Sequence, residues 1–234
     1  MLHGWGSSAA VWDPVRTILG EHFDCVVPEL PGHGTSQYAE TGLIPLAEQL
    51  LAAASRPAIW LGWSLGALIA MQAALLARSG QVLRLLLVAG TPAFVRSQQW
   101  LSAMPANTFD EYLQTYIQNA MLAQKRFIAL QAKGDQHALQ VRQALSQTAS
   151  MPGEQLLWGL NLLRSADLTD RFSRINSPVH CLYGEHDALV PVTLANVMRS
   201  RFNAQVTVWP DTGHVPFLSD AARFAAWVRE VSDA

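Results

Sequence analysis

The sequence predicts an α/β protein in which a mostly parallel sheet is flanked by helices. Three observations support this fold class: strand-like and helix-like runs alternate, the strand-like runs are short and apolar, and turn-forming residues follow each of them. The candidate strands are residues 23–27, 58–62, 82–89, 179–183 and 205–209. Ligands bind at the carboxyl ends of strands in open parallel sheets. The polar residues after these strands are therefore the first candidates for a functional site.

Length and composition exclude several classes of protein. With 234 residues, half of them hydrophobic and 15% charged, the chain is predicted to form one folded domain with a large core. A net charge of −2 offers no electrostatic attraction for nucleic acid. The two cysteines, Cys25 and Cys181, lie far apart in apolar runs, which indicates buried thiols in a reducing, cytoplasmic compartment. We find no secretory signal pattern at the N-terminus.

An uncharged run, residues 58–77, is long enough to resemble a membrane span. The motif Gly-Trp-Ser-Leu-Gly at residues 62–66 interrupts its first half, and Arg56 and Pro57 precede it. This pattern favours a buried strand, a tight turn and a buried helix.

The alternation of strands and helices stops at about residue 94. Residues 94–170 contain no convincing strand and are rich in Ala, Leu and Gln, which predicts several helices. We interpret this stretch as a helical cap inserted into a core made of residues 1–93 and 171–234. Residues 219–231 are predicted to form a final amphipathic helix.

The motif at residues 62–66 predicts a nucleophile at Ser64. In a Gly-x-Ser-x-Gly turn between a strand and a helix, the serine hydroxyl is exposed on a sharp bend, and the flanking glycines let the backbones approach closely. The strand-to-helix placement favours this interpretation over an ordinary tight turn.

A serine nucleophile needs a base, and the base needs an orienting acid. His214, in a Gly-containing loop after the last candidate strand, is the predicted base. Asp187 follows the preceding strand and is the predicted acid. Glu185 and Asp211 are rivals for the acid, although Asp211 is so near His214 in sequence that it more plausibly shapes the loop.

Acyl transfer also needs donors that stabilise the oxyanion. The backbone N–H of Leu65, directly after the nucleophile, is one predicted donor. The N–H of Trp5, in the early loop His-Gly-Trp-Gly, is the other, and the Trp5 indole is predicted to line the acyl pocket. His3 and His33 are expected to shape early loops. No His, Asp or Cys spacing indicates a metal site, and we expect no cofactor.

On these residues, in this order, the chain resembles the α/β-hydrolase family over nearly its whole length. Within that family, four further segments resemble the pimeloyl-[acyl-carrier protein] methyl ester esterases of biotin synthesis: residues 2–6, 61–66, 126–131, and 182–184 with 187–191. The resemblance implies that Ser64 attacks the methyl ester of a pimeloyl chain carried on acyl-carrier protein. Methanol leaves, and water then releases the free carboxylate.

The same resemblance implies contacts with the substrate and with its carrier. The implied substrate contacts are Trp5, Leu65, Phe127, Ile128, Ala129, Leu130 and Gln131. The implied docking residues for the acidic carrier are Lys125, Arg126, Lys133 and Arg142, against Asp135 as the one acid between positions 125 and 142. Leu122, Leu139 and Gln143 stand where further cap arginines of the family would align. The expected partners are acyl-carrier protein and small-molecule esters, without nucleic acid or membrane, and the protein is expected to be a monomer.

Members of this family carry an apolar strand immediately before the His-Gly-Trp-Gly loop, whereas this chain begins at Met1. The resemblance therefore implies that N-terminal strands are missing. Either the natural protein is longer, which is the explanation we favour, or this form is a weakened variant. We also expect Trp5, on a loop without its supporting strand, to be poorly positioned.

Two other functions stay open at this point. One is a general short-chain carboxylesterase or another small-molecule hydrolase, since a fold does not determine a substrate. The other is a non-catalytic ligand receptor with the hydrolase fold. A haloalkane dehalogenase is disfavoured because Ser64 stands where that chemistry needs an aspartate.

Overall fold

The computed structural model describes residues 1–37 and 41–233, and its sheet contains four parallel strands. The strands lie side by side in chain order: β1 Ala58–Trp63, β2 Val82–Val88, β3 Val179–Gly184 and β4 Gln205–Trp209. Four of the five candidate strands are thus confirmed, with ends that differ by at most one residue from the predicted ones.

Helices precede, follow and connect these strands. They are α1 Asp13–Leu19, α2 Leu43–Ala53, α3 Leu65–Leu76, α4 Ala106–Gln118, α5 Ala120–Gln131, α6 Ala138–Gln147, α7 Leu157–Ser165, α8 Leu194–Phe202, α9 Pro216–Ser219 and α10 Ala221–Asp233. In the described part of the chain, three short 3-10 helices cover Ala9–Trp12, Glu154–Leu156 and Phe172–Arg174. The final helix predicted at residues 219–231 is confirmed as α10, with ends that differ by two residues. It begins at Ala221 because the extended backbone of Asp220 separates it from the short helix Pro216–Ser219.

The sheet divides the hydrophobic core into two clusters, because successive strand side chains point to opposite faces. Leu85 and Leu87 belong to the cluster that contains α3, whereas Leu86 and Val88 belong to the cluster that contains α10. Helix α3 is buried from Leu65 to Ala74. The uncharged run therefore forms a buried strand, a turn and a buried helix, as predicted. None of the helices in the described part of the chain is both long and apolar enough to cross a membrane.

The candidate strand at residues 23–27 is wrong. The segment lies without a sheet partner: Val26 is 69% exposed, and its carbonyl accepts a hydrogen bond of 2.7 Å from the amino group of Met1. On the β1 side of the sheet, Leu2 forms an isolated parallel bridge, in which its N–H donates to Leu61 and its carbonyl accepts from Trp63. A strand requires a row of such bonds, so β propensity alone did not make one here.

Residues 94–170 contain α4 to α7 and no strand of the sheet. Isolated backbone bridges connect this stretch to the rest of the chain, between Ala93 and Asp167 and between Ser7 and Ala149. The helical character of the stretch is as predicted. Its role as a cap, and the division at residues 93 and 171, stay predictions.

Candidate active site

Ser64 occupies the sharp turn between β1 and α3. Its backbone has φ 53° and ψ −114°, a left-handed conformation that is costly for a residue with a side chain. The turn needs both flanking glycines: a Cβ on Gly62 would lie 2.3 Å from the Gly66 carbonyl oxygen, and a Cβ on Gly66 would lie 2.3 Å from the Leu2 carbonyl oxygen. The strain is held in place by the packed strand and helix on either side. Ser64, the predicted nucleophile, thus stands on a strained turn at a helix N-terminus, with 7% of the residue exposed.

His214 and Asp187 form a buried pair. His214 Nδ1 lies 2.7 Å from Asp187 Oδ2, and both side chains are fully buried. The other carboxylate oxygen of Asp187 accepts from the N–H groups of Leu189 (2.8 Å) and Val190 (2.9 Å), which orients the carboxylate toward the ring. With Nδ1–H donating to Asp187, His214 Nε2 carries the lone pair, and it is buried without a partner among the described residues. The pair is therefore built to accept a proton at Nε2.

The two rival acids lie elsewhere. The Asp211 and Glu185 carboxylates face His186, at 3.7 Å and 4.0 Å from its Nε2, and neither pairs with His214. All three side chains are exposed, and their ligand-type atoms lie within 4.8 Å of one another. The spacing of these residues in the sequence did not indicate the cluster of Glu185, His186 and Asp211, which lies on the surface beside Asp187.

Trp63 connects the turn that holds Ser64 to the loop that holds His214, residues 210–215, which we call the base loop. Its indole N–H donates to the His214 carbonyl at 3.0 Å, and its ring centroid lies 5.8 Å from that of His214. The structure thus brings the residue next to Ser64 into direct contact with the predicted base.

The expectation that Trp5 is poorly positioned is wrong. Trp5 is 2% exposed, and its indole N–H donates to the Leu156 carbonyl at 2.8 Å. Its ring makes edge contacts with Tyr112, Tyr116 and Phe127, at centroid distances of 6.0, 5.3 and 5.0 Å. The helices α4 and α5 supply the support that the sequence did not reveal.

The two predicted oxyanion donors lie on adjoining segments. Leu65 is the first residue of α3, so its N–H has no acceptor within the helix. The segment before Trp5 packs on the first turn of α3. A Cβ on Gly66, in that turn, would collide with the Leu2 carbonyl oxygen. A Cβ on Gly159 would lie 2.7 Å from the Trp5 ring and 3.1 Å from a Leu65 methyl carbon, so these two side chains share one wall. Their role as oxyanion donors stays a prediction.

A buried histidine pair lies behind the Trp5 loop. His3 Nε2 accepts from the Leu30 N–H at 3.0 Å, which leaves Nδ1 to donate to the Gly4 carbonyl at 2.9 Å. Burial lowers the pKa of His33 to about 3, and its ring centroid lies 5.2 Å from that of His3. These contacts hold the early loops, the role expected for both histidines.

The five predicted substrate residues on α5 do not all face the same way, since successive helical residues point about 100° apart. Phe127 and Gln131, one turn apart, are buried: Phe127 packs on Trp5, and the Gln131 carbonyl accepts from the His214 N–H at 3.0 Å. Ile128 and Ala129 are half-buried, and Leu130 is 37% exposed. The structure therefore brings Phe127 and Gln131 to the site and leaves Leu130 outside.

The predicted docking cations are all exposed. Lys125 and Arg126 lie on α5, Lys133 follows it, and Arg142 lies on α6. Within the described residues, none of the four forms an ion pair with an acid. Asp135 does not belong to this surface, because it is buried. Leu122 and Leu139 are 40% and 70% exposed, so apolar surface stands at two positions where family arginines would align.

Sequence reasoning missed two further residues beside the site. The hydroxyl of Tyr112 is buried without a partner among the described residues, and burial raises its pKa. Asp135 accepts hydrogen bonds from the base loop. An Asp three residues before the start of a helix is a local turn signal that could have identified Asp135; no local pattern distinguishes Tyr112. Two surface clefts of about 450 and 470 Å³ contain no predicted site residue in their linings. The first is lined by residues 172–173, 175–179 and 201–203, and the second by residues between 180 and 231.

Comparison with known proteins gives consistent results. A family model described as "Alpha/beta hydrolase family" matches residues 1–227. Proteins from Vibrio campbellii and Methylococcus capsulatus, each named pimeloyl-[acyl-carrier protein] methyl ester esterase, are 35% and 36% identical to this chain. Both alignments cover 98% of this chain and 92% of the relative. An esterase structure from Exiguobacterium antarcticum superposes with a TM-score of 0.85 at 19% identity, over 100% of this chain and 91% of that one. At that identity the structural likeness shows the fold alone.

Proposed function

This chain belongs to the α/β-hydrolase family, and from that premise we propose that it is a serine carboxylesterase that hydrolyses the methyl ester of pimeloyl-[acyl-carrier protein]. The observation that carries the proposal is the buried Asp187–His214 pair, in which His214 Nε2 has no partner among the described residues. The backbone carbonyl of His214 is bonded to Trp63, which directly precedes Ser64.

In the first half of the reaction, His214 Nε2 takes the proton of the Ser64 hydroxyl as Oγ bonds to the ester carbonyl carbon. The N–H groups of Leu65 and Trp5 stabilise the oxyanion. The tetrahedral intermediate breaks its bond to the methoxy oxygen, His214 gives its proton to that oxygen, and methanol leaves.

In the second half, His214 removes a proton from water, and the hydroxide oxygen bonds to the acyl-enzyme carbonyl carbon. Collapse of this intermediate breaks the bond to Ser64 Oγ, which regains its proton from His214. The product is the free terminal carboxylate, and the thioester to the carrier is untouched. Asp187 holds the ring throughout and stabilises its charged form.

Two features support this substrate. The wall formed by Trp5, Phe127 and Tyr112 is aromatic, which suits a polymethylene chain. The exposed cations at 125, 126, 133 and 142, which form no ion pair with a described acid, suit an acidic carrier. The names of the relatives from Vibrio and Methylococcus agree with this choice. A cytoplasmic location is part of the proposal, since Cys25 and Cys181 are free.

A general short-chain carboxylesterase is the second candidate. The exposed Leu122 and Leu139 favour it, because they place apolar surface at two positions where a carrier-docking cap would hold cations. An esterase of this kind would use the same triad on free esters.

The test compares three substrates: methyl-pimeloyl-acyl-carrier protein and free dimethyl pimelate, followed by methanol release, and a short aryl ester. Each assay has a Ser64→Ala control.

The docking surface is tested by the double variant Lys125→Glu with Arg126→Glu. The control is Arg78→Glu, at another exposed arginine without an ion pair among the described residues. We expect the double variant to raise KM for the carrier-bound ester by about tenfold or more and to leave aryl ester hydrolysis unchanged. Equal kcat/KM for carrier-bound and free esters would instead support the generalist. Failure of the folded wild-type chain to hydrolyse any ester would exclude both.

A further inference from the structure

We propose that Asp135, in the turn between α5 and α6, is a positioning residue for the catalytic base His214. The inference rests on the proposed serine esterase mechanism and adds a residue that the triad does not include. Asp135 is 6% exposed, so its side chain is withdrawn from the basic surface that surrounds it in sequence.

The Asp135 carboxylate has three donors. Oδ2 accepts from the Gly213 N–H at 2.9 Å, directly before the base. Oδ1 accepts from the Ser219 hydroxyl at 2.9 Å and from the His137 N–H at 2.8 Å. A buried carboxylate is costly unless hydrogen bonds satisfy it, and these three bonds do so. They connect the start of α6 to both ends of the segment 213–219.

The backbone around Asp135 adds two more bonds to the same loop. The Gln131 carbonyl accepts from the His214 N–H at 3.0 Å, and the Gln136 N–H donates to the Asp211 carbonyl at 2.8 Å. Packing is equally close, since a Cβ on Gly213 would lie 2.9 Å from the Gln131 carbonyl oxygen. Residues 211, 213 and 214 are thus each bonded to the α5–α6 turn.

The turn also contacts the loop that carries the acid. Gly134 has φ +78°, and a Cβ there would lie 2.5 Å from the His186 Cβ, one residue before Asp187. The His186 N–H in turn donates to the Thr212 carbonyl at 2.9 Å. One turn therefore packs against both loops of the Asp187–His214 pair.

His214 is consequently held from two sides. Its N–H donates to the α5–α6 turn, and its carbonyl accepts from Trp63. Release of the Gly213 N–H would let the base loop shift relative to Ser64, and displacements of about 1 Å cost up to about a hundredfold in rate. The distance between base and nucleophile, rather than substrate binding, is the quantity that Asp135 controls.

Asparagine at position 135 tests the hydrogen bonds of the carboxylate, because it has nearly the same volume as aspartate. Its amide offers one acceptor oxygen in place of two. If that oxygen stays on the His137 and Ser219 side, the NH2 group meets the Gly213 N–H, donor against donor. In the reverse orientation the NH2 group opposes the His137 N–H instead, while the Ser219 hydroxyl can accept from it. Either way, the variant Asp135→Asn loses one of the two backbone N–H contacts of the carboxylate with little change of shape.

The test uses the full chain and a short aryl ester, so that it does not depend on carrier recognition. The control is Asp167→Asn, an exposed aspartate whose Oδ1 also accepts the N–H two residues onward, at 2.9 Å from Thr169. Among the hydrogen bonds of the described residues, Asp167 has none to residues 210–215. We expect Asp135→Asn to lower kcat by about tenfold or more with KM within about twofold of wild type, while Asp167→Asn leaves kcat unchanged. Equal kcat in the two variants would overturn the inference.

A milder variant keeps the test decisive if Asp135→Asn does not fold. Ser219→Ala removes one of the two donors that hold Oδ1, so the carboxylate turns more freely and its contact with the Gly213 N–H weakens. We expect this variant to lower kcat by about two- to threefold with KM unchanged. An unchanged kcat in a Ser219→Ala protein would then overturn the inference. If the wild-type chain hydrolyses the aryl ester but not the carrier-bound ester, the substrate proposal fails and this inference stands. If the folded wild type hydrolyses no ester, both fail.

Discussion

The indole N–H of Trp63 donates to the backbone carbonyl of His214 at 3.0 Å, so the residue before the candidate nucleophile is bonded to the candidate base. These two residues are 151 positions apart in sequence. The bond links the end of β1 to the loop after β4, and it makes the spacing between Ser64 and His214 a property of the assembled sheet.

We expect Trp63→Phe to lower both stability and activity. Trp63 is fully buried, so the variant leaves the His214 carbonyl without its donor and leaves part of the indole volume empty. The free energy of unfolding should fall by about 2–3 kcal/mol, and kcat by about tenfold. Chemical denaturation and steady-state kinetics measure the two effects. Trp227→Phe is the control, because Trp227 donates to Thr207 away from the site; a similar loss of kcat there would contradict the assignment.

The acid of the pair is tested by Asp187→Asn. The asparagine cannot both accept from the N–H groups of Leu189 and Val190 and accept from His214 Nδ1–H, so the imidazole loses its orientation and its tautomer. We expect kcat for an aryl ester to fall by about 10³–10⁴-fold. Glu185→Gln, in the neighbouring exposed group, should stay within about twofold of wild type. A larger loss in Glu185→Gln than in Asp187→Asn would reverse the choice of acid.

Backbone strain at Ser64 predicts that glycine stabilises the folded protein at this position although it removes the candidate nucleophile. Ser64 holds φ 53°, so Ser64→Gly should be more stable than Ser64→Ala by about 1–2 kcal/mol, while neither variant hydrolyses esters. Thermal or urea unfolding compares the two proteins. At Ala70, inside α3, replacement by glycine should have the opposite sign and cost about 1 kcal/mol. Equal stability of Ser64→Gly and Ser64→Ala would show that the turn is not strained.

His33 predicts a loss of stability in mild acid. Burial lowers its pKa to about 3 in the folded protein, so between that value and the unfolded pKa of about 6.5 only the unfolded chain binds the proton. Stability is therefore complete above about pH 6.5 and falls as the pH falls, by about 2 kcal/mol between pH 7 and 5. Urea denaturation across this range measures the slope. His33→Gln should remove that part of the slope, and an unchanged slope would assign it to other groups.

Much of the candidate site could be predicted because its chemistry is local in sequence. Ser64 is recognisable from its flanking glycines, and His214 and Asp187 from loops that follow strands. Four strands were predictable for the same reason, since buried parallel strands are short apolar runs. The segment at residues 23–27 has the same composition, yet it forms no strand, because pairing depends on a neighbour that composition does not report.

The sequence by itself determined the types of the candidate catalytic residues and the order in which the chain presents them. The tertiary structure alone decided how they are supported. Asp135 reads as a surface charge in sequence, but three donors, two of them from the segment after β4, make it a buried link to the base loop. Trp5 reads as poorly supported, but aromatic rings more than 100 positions away enclose it. Hydrogen bonds and packing between distant segments form only when the chain is folded, and local patterns carry no record of them.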